Sequence, residues 1–203
     1  MLDFRNLYDF LSTAIALFFS IIIHEVAHAF VANLYGDTTA KERGRISLNP
    51  LRHLDPIGVI SLLFFGFGWA KPVPINSHNF TNEKMGIFAV SLAGVATNLV
   101  SALLAIFLIQ FIPDQFTFVW ETLLKIAYFG ISLCIFNLIP LPPLDGSHVL
   151  LLFLPFQVKE WIYTHYRKLQ FLLMFLVFSG LISRLISPII QAIYKGFIRF
   201  VFG

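Results

Sequence analysis

The stretch from Leu7 to Tyr35 constrains the fold more than any other feature: a long apolar run without proline or glycine, closed by Gly36. At ~1.5 Å per residue, such a run wound as a helix crosses a ~30 Å hydrocarbon layer with some tilt. Met85 to Ile112 is a second run, ended by Pro113. Phe118 to Ile139 is a third, ended by Pro140, Pro142 and Pro143, and Leu169 to Ile186 is a fourth, stopped by Pro188. Composition agrees: 58% of residues are hydrophobic, 12% are charged, and the mean hydropathy is +0.81. A water-facing domain carries roughly a quarter charged residues. A chain this apolar also buries surface too readily to be disordered. The expected fold class is therefore an all-α polytopic membrane protein, in contact with the lipid bilayer over most of its surface.

The chain reads as a single unit over 1–203, with a core at about 8–150 and C-terminal membrane helices at about 157–203. About 4–6 transmembrane or re-entrant helices are expected. Pro56 to Ala70 is apolar but too short to span, and Gly58, Gly66 and Gly68 interrupt it, so it reads as re-entrant or interfacial. Ser147 to Leu154 is a short helix candidate, and Ile189 to Phe202 is a surface helix or a further short span. Lys41, Arg43, Arg45 and Arg52 fall in one loop, Lys159, Arg167 and Lys168 in another, and the turn at 113–117 has no basic residue. The positive-inside rule puts the first two loops in the cytoplasm and the N-terminus outside. The net charge of +3 is spread along the chain, which argues against nucleic acid as a partner. The one cysteine, Cys134, excludes a disulfide framework and a zinc site built from several thiolates.

Ionisable side chains inside a bilayer are costly, so each one present needs a role. The first run holds three of them in Ile23-His-Glu-Val-Ala-His28. Residues i and i+4 lie on one helical face, so the His24 and His28 imidazoles can reach one metal ion. Glu25, a quarter-turn away, can reach a water beside the metal without being a ligand. Such a carboxylate takes the water's proton and returns it to the leaving amine. The bland alternative is polar glue between helices, but glue rarely needs three ionisable groups within five residues. Two histidines leave zinc short of a protein ligand. The strongest third candidate is Asp145, in Asn137-Leu-Ile-Pro-Leu-Pro-Pro-Leu-Asp145-Gly146, where prolines break the helix near or inside the membrane. A helix N-cap is the structural alternative for that aspartate.

These two motifs together resemble the site-2 proteases, a family of intramembrane zinc metalloproteases. Its members pair H-E-x-x-H on one span with N-x-x-P-x-x-P-L-D-G at the end of a later one. Asn137, Pro140, Pro143, Leu144, Asp145 and Gly146 match the second pattern. The resemblance implies one zinc ion per chain held by His24, His28 and Asp145. It implies Glu25 as general base, and Asn137 as a catalytic amide near the substrate carbonyl. It also implies transmembrane protein substrates cleaved in or near their spans, and a prokaryotic inner-membrane protein of the short type, without PDZ or CBS domain. A small membrane-associated β-hairpin region is expected between the first two core spans. The family's G-P-x-x-N pattern appears as Gly94-Val-Ala-Thr-Asn98, with valine in place of proline. Asn98 is thereby a candidate substrate-binding residue, with interhelical packing as the alternative.

His24 lies ~18 Å of helix from Gly36, which places the metal in the membrane towards its cytoplasmic half. His53 and Asp55 suit a turn better than a second metal site, because Asp55-Pro56 is a strong turn signal. His148, one turn after Asp145, reads as a neighbour of the site, and His78 and His165 read as solvated. The rivals to a protease are an inactive membrane scaffold of the same fold and a metal transporter. The sequence assigns no oligomeric state.

Overall fold

The seam that organises the fold is visible in the spacing of buried residues along the first helix. In α1 (Phe4–Leu34), Ser12, Ala16, Ser20, His24, His28 and Ala32 recur every four residues, and all are buried. Residues four apart stack along one helical face. Their small neighbours let a partner backbone approach closely, as membrane helix interfaces require. The computed structural model describes residues 4–58, 61, 70–113 and 115–202.

After α1 come a single turn, α2 (Thr39–Glu42), and a stretch containing two 3₁₀ turns, Pro50–Arg52 and Ser77–Asn79, with helical residues at 56–58 and 61 between them. The side chains of Asn49 and Asn76 cap those turns. Then follow α3 (Glu83–Ile109), α4 (Thr117–Asn137), α5 (Asp145–Phe153), α6 (Phe156–Thr164), α7 (Tyr166–Phe178) and α8 (Leu181–Phe202). Helix α3 starts where the Asn82 side chain accepts from the Met85 N–H, satisfying a donor that the helix leaves unpaired.

Helix α3 has its own seam of the same period: Gly86, Val90, Gly94, Asn98, Ala102 and Ile106 are all buried. Helices α1, α3 and α4 pack on one another. A Cβ added to Gly130 of α4 would stand 2.7 Å from the Asn98 carbonyl oxygen, so α3 and α4 cross at near backbone contact. Outward faces carry large apolar side chains, such as Phe10 and Phe19 on α1 and Leu104 and Phe107 on α3. That inversion suits lipid surroundings, where an outward leucine meets tails as apolar as itself. Among the described residues, four helical stretches are long and apolar enough to cross a membrane: Leu7–Leu34, Glu83–Ile109, Thr117–Asn137 and Leu181–Phe202.

Two expectations need correction. The fourth run does not end at Pro188. The chain breaks earlier, at Gly180, whose φ of 72° ends α7, and α8 then runs through Pro188. One proline removes one backbone bond. Ending the helix there would strip several more groups of their partners, which costs more in an apolar medium. Ring contact between Trp120 and Phe202 sets α8 antiparallel to α4, with the chain's last described residues beside the start of α4.

The expected β-hairpin is also absent: among the described residues between α1 and α3 there is no strand. A single antiparallel bridge joins Leu54 to Ala70, next to a bond from Lys71 N–H to the His53 carbonyl. Pro50, Pro56, Pro72 and Pro74 remove the donors a ladder would need. Most of the Pro56–Ala70 segment, including Gly66 and Gly68, lies outside the described residues.

Candidate metal centre

Three side chains from two distant parts of the sequence converge at one point. His24 and His28 project from the buried seam of α1, and Asp145 opens the first turn of α5. The Pro140–Pro143 break turns the chain from α4 into α5 and delivers Asp145 to α1. Gly146 allows the close turn, because a Cβ there would stand 2.4 Å from the Leu138 carbonyl oxygen at the end of α4. Asp145 also sits where the unpaired N–H groups of a helix start favour a negative charge.

The donor atoms are close. The two Nε2 atoms are 3.0 Å apart, and Asp145 Oδ2 lies 3.2 Å from His24 Nε2 and 3.4 Å from His28 Nε2. Zinc bound tetrahedrally at ~2.0–2.1 Å sets its ligand atoms about 3.3 Å from each other. The triangle therefore has the size of three corners of such a site. Among the described residues, His24, His28 and Asp145 form a group able to hold a metal ion. Asp145 Oδ2 is buried and has no hydrogen-bond partner, as suits an oxygen whose natural counterpart is a cation.

Tautomers point the same way. His28 Nδ1 lies 2.7 Å from the Val90 carbonyl oxygen, which can only accept. The ring must therefore carry a proton on Nδ1, and the neutral imidazole presents its Nε2 lone pair to the other two donors. His24 Nδ1 lies 3.1 Å from the side-chain amide of Asn98, which is fully buried. Gly94, one turn before Asn98, makes room for the ring, since a Cβ there would come within 2.5 Å of it.

Glu25 faces a different neighbour. Its Oε2 accepts from the Val73 backbone N–H at 3.0 Å. In Pro72-Val73-Pro74 the flanking prolines have no N–H, so Val73 supplies the only donor of the three. Both ends of the segment are anchored. Arg45 Nη2 donates to the Lys71 carbonyl, and Lys71 N–H donates to the His53 carbonyl at 2.8 Å. At the other end the Asn76 N–H donates to Asp37 at 2.7 Å. Burial pulls the Arg45 guanidinium below its ordinary value, and the charge of Glu25 opposes that shift. Asp37 is fully buried beyond the end of α1 and accepts from Thr39, Asn76 and Asn79. Burial pushes its pKa up, but these bonds outweigh it and hold the carboxyl below its usual value.

A cavity of about 680 Å³ joins these parts; His24, Glu25, His28, Val73, Asn137, Asp145 and His148 line it, with Lys159 and Tyr163 of α6 at its side. Asn137 ends α4, and its amide donates to the Leu133 carbonyl at 3.0 Å. Asn98 is not among the cavity's lining residues. His53 is buried with its Nε2 2.6 Å from the Ser47 carbonyl, and Asp55 accepts from Ile57 and Gly58 N–H. His53 closes the Pro50–Arg52 turn, and Asp55 caps the helical residues that begin at Pro56. Val73 and Arg45 did not stand out in the sequence. The Pro-x-Pro spacing was the available signal, because it leaves one backbone donor exposed between two blocked positions.

Comparison with known proteins gives a consistent picture. The model of peptidase family M50 matches residues 113–181, which include Asn137 and Asp145. A Bacillus subtilis protein named "Putative zinc metalloprotease YwhC" is 41% identical over 150 residues, 67% of this chain and 66% of that protein. "Putative zinc metalloprotease Rip2" of Mycolicibacterium smegmatis is 34% identical over 134 residues, 63% of this chain and 51% of that protein. Its Mycobacterium tuberculosis counterpart is 31% identical over 134 residues. The chain thus spans between half and two thirds of the length of these curated relatives. No solved structure matches.

Proposed function

This chain belongs to peptidase family M50, and we propose that it is a zinc-dependent endopeptidase that cleaves membrane proteins in or near their transmembrane segments. One observation carries the reading. Two imidazole nitrogens and a carboxylate oxygen converge within 3.4 Å of each other, beside a glutamate, in a cavity between helices long enough to span a bilayer. His24, His28 and Asp145 would hold one zinc ion per chain, leaving a fourth position for substrate or water. When bound there, zinc supplies Lewis acidity that polarises a carbonyl and makes water a nucleophile near neutral pH.

The remaining steps belong to the protein. Glu25, held by the Val73 N–H through one oxygen, has the other free to take a proton from the attacking water. It then delivers that proton to the leaving amine. Asn137 donates one amide hydrogen to Leu133; its second hydrogen stabilises the oxyanion that forms at the scissile carbonyl. A transmembrane helix hides its peptide bonds, so a substrate must unwind locally before it enters the cavity. The basic residues at 36–55 and 157–168 support a site towards the cytoplasmic side, and the reading takes the membrane to be a prokaryotic inner one. Cleavage of membrane-bound regulators (regulated intramembrane proteolysis) is the physiological role that follows. The test is Glu25→Gln. It should retain about one zinc per chain while cleavage of a model single-span substrate disappears. Persistent cleavage would remove Glu25 from its role.

A further inference from the structure

We propose that Asn98 is a positioning residue: its side-chain oxygen accepts from His24 Nδ1–H and so holds His24 with Nε2 free to bind the metal. The proposal rests on the zinc reading of the site and gives Asn98 a task other than touching substrate. Asn98 is fully buried on the α3 seam, and it is not among the residues that line the cavity. Its side-chain amide stands 3.1 Å from His24 Nδ1. With the amide nitrogen on that side Asn98 Oδ1 is buried without a partner, and the turned amide leaves its nitrogen there instead, so the state of the His24 ring decides between the two. That orientation also puts the His24 proton on Nε2, 3.2 Å from Asp145 Oδ2, where it blocks the lone pair a metal needs. Turning the amide by half a revolution exchanges two groups of nearly equal shape. The oxygen then meets Nδ1–H, and Nε2 is left as a ligand.

The rest of the α3 seam supports this. Val90, Gly94 and Asn98 are spaced by four residues, so they face α1 as one row. The Val90 carbonyl fixes His28 through Nδ1, and Gly94 admits the His24 ring. Asn98 completes the row as the counterpart of Val90. One helix thus sets the ring orientation of both histidines, each through the nitrogen that faces away from the metal.

The test uses the full chain in detergent with zinc or cobalt as the probe. Asn98→Leu keeps the volume and removes the acceptor. Asn98→Asp keeps an acceptor. The zinc dissociation constant is measured by chelator competition, and exchangeable imidazole N–H resonances are recorded in the cobalt-loaded protein. Asn98→Leu is expected to weaken zinc by about 10–100-fold and to lose the His24 N–H resonance, with the His28 resonance retained. Asn98→Asp should restore that resonance and most of the affinity. Metal-free melting temperatures of the two variants control for packing. The proposal is overturned if Asn98→Leu binds zinc like the wild type. It is equally overturned if both variants lose zinc together with metal-free stability, because that describes a packing residue. If the wild type binds no more metal than His24→Ala, the zinc reading itself fails, an outcome distinct from either.

Discussion

Val73 N–H donates to Glu25 Oε2 at 3.0 Å, across 48 positions of sequence. A carboxylate tethered through one oxygen has its other oxygen aimed, and a general base depends on aim as much as on basicity. Val73→Pro removes the donor without changing the metal ligands. Its cleavage rate should fall by about 10–100-fold with zinc content unchanged. Val73→Ala keeps the N–H and should stay close to the wild type. Equal rates for the proline and alanine variants would sever the tether from catalysis.

The segment bearing Val73 is fastened at Asn76 by Asp37. The Asp37 carboxyl is held below its usual value, so the folded state releases this proton more readily than the unfolded chain. Its contribution is fully present above the unfolded carboxylate value of ~3.9 and is lost as pH falls through the lower folded value. Asp37→Asn should cost about 1–3 kcal/mol near neutral pH and should flatten the acid limb of the stability curve. A variant with an unchanged acid limb would show that Asp37 does not anchor the segment.

Gly94 and Gly146 both shape the site through a missing side chain. Gly94→Ala would push a methyl within 2.5 Å of the His24 ring. The ring must move, and zinc affinity should fall by at least about tenfold. Gly146→Ala meets the Leu138 carbonyl, which is backbone and cannot swing aside, so the expected result is a loss of about 1–3 kcal/mol of stability. Chelator titration and thermal melts separate the two effects. Wild-type behaviour in both would contradict the close approaches described.

Removing the metal should stop the reaction reversibly. Treatment with a zinc chelator should abolish cleavage of a single-span substrate in detergent or liposomes, and stoichiometric zinc should restore it. Activity that survives complete metal removal would exclude the mechanism. Metal flux across liposomes carrying the protein, with no proteolysis, would favour the transporter.

The helices and the ligands were legible for different reasons. Spans such as Met85–Ile112 announce themselves because a bilayer needs a long apolar run. His24 and His28 stand out because ionisable groups are costly in an apolar span, and their helical spacing suits a shared metal ion. Asp145 came into view through the proline break, and the resemblance then paired it with the two histidines. Val73 was not legible, because a backbone donor leaves no mark on residue identity. Nor was the bond between Asn98 and His24, which depends on how α3 turns against α1. The end of the fourth span was misplaced because Pro188 is a strong stop in water, whereas a helix in an apolar medium tolerates one lost bond more easily than an early end. Gly180, which does break the chain, carried no neighbouring proline to mark it.

The most direct test is X-ray absorption at the zinc edge of the purified wild type, beside Asp145→Ala. The account predicts about one zinc per chain, with two imidazoles and light oxygen scatterers at ~2.0–2.1 Å. It also predicts loss of zinc or of one oxygen neighbour in the variant. A wild type without zinc, or a spectrum that Asp145→Ala leaves unchanged, would contradict it.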